Sequence, residues 1–408
     1  MGDGVGDGIR PAFARYWVAA GLSSIGSAIT AIAMPVLVVQ LLGASPFEVG
    51  VVNAAQFVPY AALGLVAGVY VDHWRRKPVL MWASVGRALC LGLVPILWLA
   101  DALQIWMLVV TLLAFGAFSV FGFAATQSLL PRLVPSEQLV AANARLDQAD
   151  AAAQTVGPAI GGGLIGVLGA PAVIVVDAIS YLVEAVLIAS IHAPEPRPEP
   201  RTRNLHHEIG EGLKWTYHHR TLGPLAASTH IWFLANGAAM TALSLLALRS
   251  MGFTAYAFGM LLTAFGVASL IGASLAPSLG GRLGAGRVII LARTAYPITW
   301  MLVAWAPESS LGGAWIFVAL GLQGIAAGIE NANEMAYWQT LTPDRLLGRV
   351  NATRRSINQT MAALGAVLGG LYIGAFGEQS TLATSVAGFT LAVAIAASSP
   401  LRRQRRYG

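Results

Sequence analysis

Charge is what this 408-residue sequence has least of: 11% of its residues are Asp, Glu, Lys or Arg, where a soluble domain carries about a quarter. With 56% hydrophobic residues and a mean hydropathy of +0.67, the main solvent of the chain is lipid. The single cysteine, Cys90, excludes an intrachain disulfide. It lies in an apolar run, which makes it a packing residue. A Gly-rich phosphate loop ending in Lys-Ser or Lys-Thr is missing, so ATP hydrolysis is excluded as the energy source. No Cys/His cluster has metal-ligand spacing, and His206 and His207 are adjacent, which is poor ligand geometry. Neither a metal nor another cofactor is expected. No nucleophile stands with a convincing base, so the chain is not read as an enzyme. The basic balance does not point to nucleic acid, because the cations are thinly spread between apolar runs without interleaved aromatics.

What is present is a series of long apolar runs. A helix needs roughly 20 apolar residues to cross the hydrocarbon. Such runs fall near 15–42, 48–71, 78–99, 104–127, 142–168 and 171–192, and again near 222–248, 255–279, 287–306, 313–338, 354–376 and 380–399. They are unbroken rather than alternating in short segments, which favours helices over a barrel. The expected fold is an all-α membrane protein of twelve transmembrane helices in two pseudo-symmetric six-helix bundles. Met1 to Arg10 is Gly/Asp-rich and the first run is too long for a signal-peptide core, so no cleavable signal is expected.

Twelve spans put both termini on one side. Of the 25 basic residues, this reading places all but Arg249 and Arg87 on that side, Arg293, Arg354 and Arg355 included. The positive-inside rule makes it the cytoplasmic side. A bacterial inner-membrane location is expected, with both termini in the cytoplasm. The domains are then 1–192, a cytoplasmic linker 193–221, and 222–408. The linker begins APEPRPEPR, an extended stiff composition, and a short helix is expected near 208–218.

The halves repeat each other with an offset of 208 residues. Leu133, Pro135, Leu139, Asn143 and Ala144 match Leu341, Pro343, Leu347, Asn351 and Ala352, and Gly157, Gly161 and Gly162 match Gly365, Gly369 and Gly370. Parallel repeats about an axis along the membrane normal are a transporter architecture, with substrate held between the halves.

Three motifs carry a resemblance. The loop after the second run reads Gly68-Val-Tyr-Val-Asp72-His-Trp-Arg75-Arg76-Lys77. The fifth run carries Gly157-Pro158-Ala-Ile-Gly161-Gly162, a small-xxx-small face beside a helix-bending proline. Leu133-Val-Pro135-Ser-Glu137 and Gly348-Arg349-Val350-Asn351-Ala352 flank the two halves' fifth and eleventh runs. Together they resemble the major facilitator superfamily. The layout resembles its drug and metabolite efflux branch, which includes bacterial siderophore exporters and macrolide efflux proteins. The resemblance implies alternating access, a gating loop at Gly68, Asp72, Arg75 and Arg76, and an antiporter-like role for Gly157, Pro158, Gly161 and Gly162. Asp147 and Asp150 at the start of the fifth run are read as a gate pairing with loop arginines, or else as a solvated helix start. The sequence departs from the pattern twice. Gly284 stands where the second-half loop should carry its acid, and Ser27 follows Gly26 where the branch commonly has Asp, so no first-span acid carries protons here.

Ionisable residues at membrane depth are functional candidates by default. Glu330, with Gln323 and Glu334 at helical spacing on the tenth run and Asn331 beside them, is the first candidate for the proton-titrating carboxylate. Glu334 is also read as a partner for loop arginines. Asp177 and Glu184 on the sixth run follow, and Glu184 is expected to pair with Arg87. The candidate substrate lining is Ser27, Thr30, Asn53, Gln56, Tyr60, Phe118, Trp232, Asn236, Gln323 and Asn331, aromatic walls with few polar groups. The expected function is export of small amphipathic molecules by proton antiport, with partners being a small-molecule substrate, protons and the bilayer, and the state a monomer. An importer or uniporter on the same fold, and a transport-inactive receptor or scaffold, stay open as alternatives.

Overall fold

A computed structural model describes residues 11–67, 70–71, 74–192, 205–307 and 311–403. Gly68 and Asp72 of the first motif lie outside the described residues, as does the APEPRPEPR segment. Among the described residues there is no strand.

Ten helices are long and apolar enough to cross a membrane. Two features bring the fold to twelve spans. The second span is segmented, Pro46–Ala55 followed by Val58–Leu63, because Pro59 brings no backbone donor to the helical ladder. The last long helix, Asp344–Ser398, contains Gly377 at φ 83°, a left-handed residue that divides it into an eleventh and a twelfth span. The remaining spans in order are Pro11–Val36, Arg76–Leu99, Ile105–Leu133, Leu139–Leu168 and Ala170–Ala189, then Leu222–Leu245, Ala255–Leu283, Ala285–Ala304 and Gly312–Leu341. A linker helix, Leu205–His218, falls where the sequence places one.

The 208-residue repeat is also a repeat of backbone detail. The first and seventh spans both end in a single π-helical stretch, Leu37–Leu41 and Leu246–Ser250. Gly43 and Gly252 follow with positive φ, and Ser45 and Thr254 then cap the next span through their hydroxyls. Gly169 turns the fifth span into the sixth as Gly377 turns the eleventh into the twelfth.

Within the first half the third span packs on the fourth and sixth, and the first span on the fifth and sixth. Within the second half the seventh packs on the eleventh–twelfth helix, the eighth on the tenth, and the ninth on the tenth. The halves meet where the fifth span crosses the eighth and the second crosses the eleventh. Small residues permit both crossings. A Cβ on Gly50 would strike the Ala366 carbonyl oxygen, and one on Gly162 the backbone of Ala255 and Tyr256.

Candidate transport and coupling site

The second half is organised around Arg293. The ninth span begins at Ala285, which puts Arg293 more than two turns inside it, 1% exposed. The sequence reading assigned this arginine to the terminal side; the structure corrects that, because the guanidinium is stabilised by acids of the tenth span rather than by water. Its Nε donates to Glu330 Oε1 at 2.6 Å and its Nη2 to Glu334 Oε2 at 2.8 Å. Ser228 accepts from Nη1, and Thr229 Oγ1 from Nη2 at 2.7 Å. Arg354 of the eleventh span donates to Glu334 Oε1 at 2.9 Å and lies 3.9 Å over the Trp338 ring. Glu334 thus pairs with two helix-borne arginines rather than with loops. Two guanidinium groups face two carboxylates, so this cluster is balanced in charge.

The tenth-span stripe therefore faces the ninth span. Gln323, 1% exposed, accepts from Thr299 Oγ1 at 3.2 Å. Asn331 is exposed and does not share the buried face with Glu330. Neither residue lines the cavity described below.

The first half has a second cluster. Arg87 Nη2 lies 3.0 Å from Glu184 Oε2, the pair expected from sequence, and Ser84 Oγ donates to the same oxygen at 2.8 Å. Arg87 also lies 4.2 Å over the Tyr181 ring, and Tyr181 shares a 2.7 Å hydrogen bond with Ser27. Asp177, 1% exposed, sits against Gly26, where a Cβ would strike its Oδ1. One of its oxygens accepts from Ser180 Oγ at 3.1 Å; Oδ2 is buried with no hydrogen-bond donor among the described residues. Thr30 Oγ1 on the first span is likewise buried and faces Asp177, short of the geometry of a formed hydrogen bond. This cluster holds two carboxylates against one guanidinium.

Trp232, half-buried, belongs to an aromatic cluster with Phe233, Tyr296 and Phe389 inside the second half. The Phe118 ring packs on Gly86 of the third span, and the backbone carbonyl of Gln56 on Gly116 of the fourth. Asn236 is half-buried. Asp147 is exposed, and Asp150 accepts from Ser24 Oγ at 2.9 Å. Neither makes an arginine ion pair among the described residues, and Asp72 of the expected gate lies outside them. Arg75 and Arg76 flank the start of the third span, with Arg76 Nε buried and unpartnered. In the antiporter-like motif, Gly157 and Gly161 press on Ala28 and Ile29 of the first span, while the Pro158 carbonyl and Gly162 meet the eighth span across the inter-half boundary.

The two ends of the inter-half boundary differ. At the end away from Pro11 and Arg403, Gln40 Nε2 donates to Leu248 O at 3.3 Å and Phe253 O at 3.0 Å, and Arg249 Nη2 donates to Ala44 O. Deeper in, Asn53 Nδ2 reaches Thr241 Oγ1 at 3.3 Å. Toward the other end lies a cavity of about 350 Å³ between the second and fourth spans, the eleventh span and the linker helix. Tyr60 lines it, together with Phe123, Gln127 and Arg355. Glu208 and Glu211 of the linker helix hold Arg349, with Glu208 Oε1 3.1 Å from Nη2, and Glu211 also reaches Arg345 at 3.3 Å.

The inter-half boundary thus has a clasp at one end, a cavity toward the other and buried charges on either side. The chain is similar to known membrane transporters along its whole length. Macrolide efflux protein A of Streptococcus pyogenes is 23% identical over 399 residues, 97% of this chain and 96% of that protein. The enterobactin exporter EntS of Escherichia coli O1:K1 is 26% identical over 393 residues, 94% of this chain and 90% of that one. Among solved structures, the nucleoside transporter NupG superposes with a TM-score of 0.75 at 11% identity, covering 95% of this chain and 98% of its own. A bacterial homologue of the iron transporter ferroportin gives 0.71 at 17%, covering 96% and 99%. These two likenesses are of fold. A model of the transmembrane secretion effector family matches residues 9–406. The chain is a membrane transporter of the major facilitator superfamily and belongs to its transmembrane secretion effector family.

Proposed function

We propose that this transporter exports small amphipathic molecules across a bacterial inner membrane by proton antiport. Its termini lie in the cytoplasm, it works as a monomer, and the segments 1–192 and 222–408 rock about the linker 193–221. The observation that carries the coupling is the charge imbalance of the first-half cluster. An ionised carboxylate at membrane depth without a counter-charge is costly. Arg87 is engaged by Glu184, so Asp177 carries the excess negative charge, and protonation removes it. The groups that face Asp177 are Arg87 from the third span, Ser180, Tyr181 and Glu184 from its own helix, and Thr30 from the first span; Ser27 bonds Tyr181, and Tyr16 lies farther along the first span near Glu184 and Arg87.

This reorders the candidates. Glu330 becomes the second, because Arg293 binds it and the second-half cluster is neutral as it stands. Export is supported by the full-length relatives, both named as efflux or export proteins.

The test is in everted membrane vesicles holding an imposed pH gradient, with lipophilic dyes and antibiotics added and the gradient followed by a pH-sensitive probe. Substrate should dissipate the gradient with the wild-type protein and fail to do so with Asp177→Asn. Dissipation at the wild-type rate by Asp177→Asn would remove Asp177 from the mechanism.

A further inference from the structure

We propose that the cavity beside the linker helix is a binding subsite for the anionic group of an amphipathic aromatic molecule, and that Arg355 is its anchor. The inference names a substrate class for the exporter reading and rests on it.

The eleventh span turns one face to the cavity, and Arg345, Arg349 and Arg355 all reach it from there. Their surroundings differ. Arg345 and Arg349 are held by Glu208 and Glu211 of the linker helix. Arg354 turns the other way, into the second-half core and onto Glu334. Arg355 is half-buried and has no carboxylate partner among the described residues. Among the described residues its Nε is buried without an acceptor, and its one hydrogen bond runs from Nη2 to Tyr60 Oη at 3.5 Å.

A guanidinium has five N–H donors in a rigid fork and no acceptor. Most of those on Arg355 are unused. Its plane is held by aromatic faces instead: Cζ lies 3.6 Å from the Phe123 ring centre and 5.5 Å from that of Tyr60. Stacking of this kind fixes the fork while leaving its edge free for a planar carboxylate or similar anion. Val120 and Ala124 supply apolar wall beside the rings, and Gln127 and Ser128 add neutral hydrogen-bonding groups. A positively charged ligand would meet an unpaired cation here, so the site discriminates by sign as well as by shape.

The test uses purified protein in nanodiscs of zwitterionic lipid, with empty nanodiscs as the blank. The probes are 2-naphthoate and its cationic counterpart 2-naphthylmethylammonium, followed by equilibrium dialysis. Saturable naphthoate binding should weaken at least tenfold in Arg355→Gln and less in Arg355→Lys, and Arg355 should be protected from phenylglyoxal by naphthoate. Folding of Arg355→Gln is not in question from pairing, since no buried acid is orphaned, and the phenylglyoxal arm uses the wild-type protein alone. Equal naphthoate binding in Arg355→Gln, preference for the ammonium probe, or no saturable binding by the wild type would overturn the proposal. So would loss of naphthoate binding when phosphatidylglycerol is added, because the occupant would then be a lipid headgroup. Arg355-dependent binding with no transport in vesicles would instead count against the exporter reading and leave the subsite standing.

Discussion

Gln40 and Arg249 stand 209 positions apart, and each donates from one half of the protein to a backbone carbonyl of the other, Gln40 to Phe253 and Arg249 to Ala44. The acceptors are themselves 209 apart, so the clasp is a symmetric pair built by the repeat. Each donor lies within the π-helical stretch that ends its own span. Backbone acceptors make the clasp insensitive to the sequence of the partner loop.

Opening at this end should be governed by those hydrogen bonds. Removing the charged donor in Arg249→Ala forfeits about 1.5–3 kcal/mol of interaction, which corresponds to roughly tenfold or more in population. Labelling by a membrane-impermeant maleimide of a cysteine placed at Asn53, in a Cys90→Ala background, should accelerate about tenfold in that variant. An unchanged rate would mean that the clasp does not hold this end closed.

Arg293 is bound by two acids and two hydroxyls with 1% exposure. Arg293→Met leaves Glu330 with no cationic partner and Glu334 with Arg354 alone. Breaking a buried pair from one side costs roughly 3–5 kcal/mol. Thermal unfolding in detergent should show Arg293→Met less stable than the Arg293→Met, Glu330→Gln double variant. The reverse order would place the stabilisation elsewhere.

The same logic applies to Arg87 and Glu184 at 3.0 Å. Either single neutral substitution should destabilise more than both together, with a coupling energy on the order of 1–3 kcal/mol. Simple additivity in the cycle would mean that the contact contributes nothing net.

Gly50→Ala adds a Cβ that would strike the Ala366 carbonyl oxygen where the second span crosses the eleventh. Backbone cannot yield as a flexible side chain does, so the halves must separate there. The variant should fold, elute as a single species, and lose most transport. Wild-type transport would mean that the crossing is not closed tightly during the cycle.

The sequence told spans apart from loops because hydropathy reports solvent directly, and the repeat was readable because Gly and Pro mark backbone requirements. The Arg87–Glu184 contact was also within reach, since both sit deep in apolar runs of one half. Arg293 was misplaced for a physical reason. A count of positive charges per side treats every arginine near a helix end alike, and cannot see that acids of the tenth span compensate this one. The available signal was its position inside the apolar run 287–306, with Glu330 and Glu334 on the next run. Helical spacing assigns Gln323 a face but not which neighbour that face meets, and the neighbour is Thr299 of the ninth span. Asp177 as the unbalanced acid needed distances, because only they show which carboxylate Arg87 takes.

The central claim is that the closed clasp and the open cavity belong to one of two alternating states set by protonation. It is tested most directly by pulsed electron–electron resonance distances in a Cys90→Ala background. One spin-label pair sits at Ala100 and Leu311 on the clasped face, and another at Gln138 and Gln339 on the opposite face. Between high and low pH the two distances should change in opposite senses, and Asp177→Asn should fix both at their low-pH values. Two distances that stay constant with pH, or that widen and narrow together, would contradict alternating access driven by this proton site.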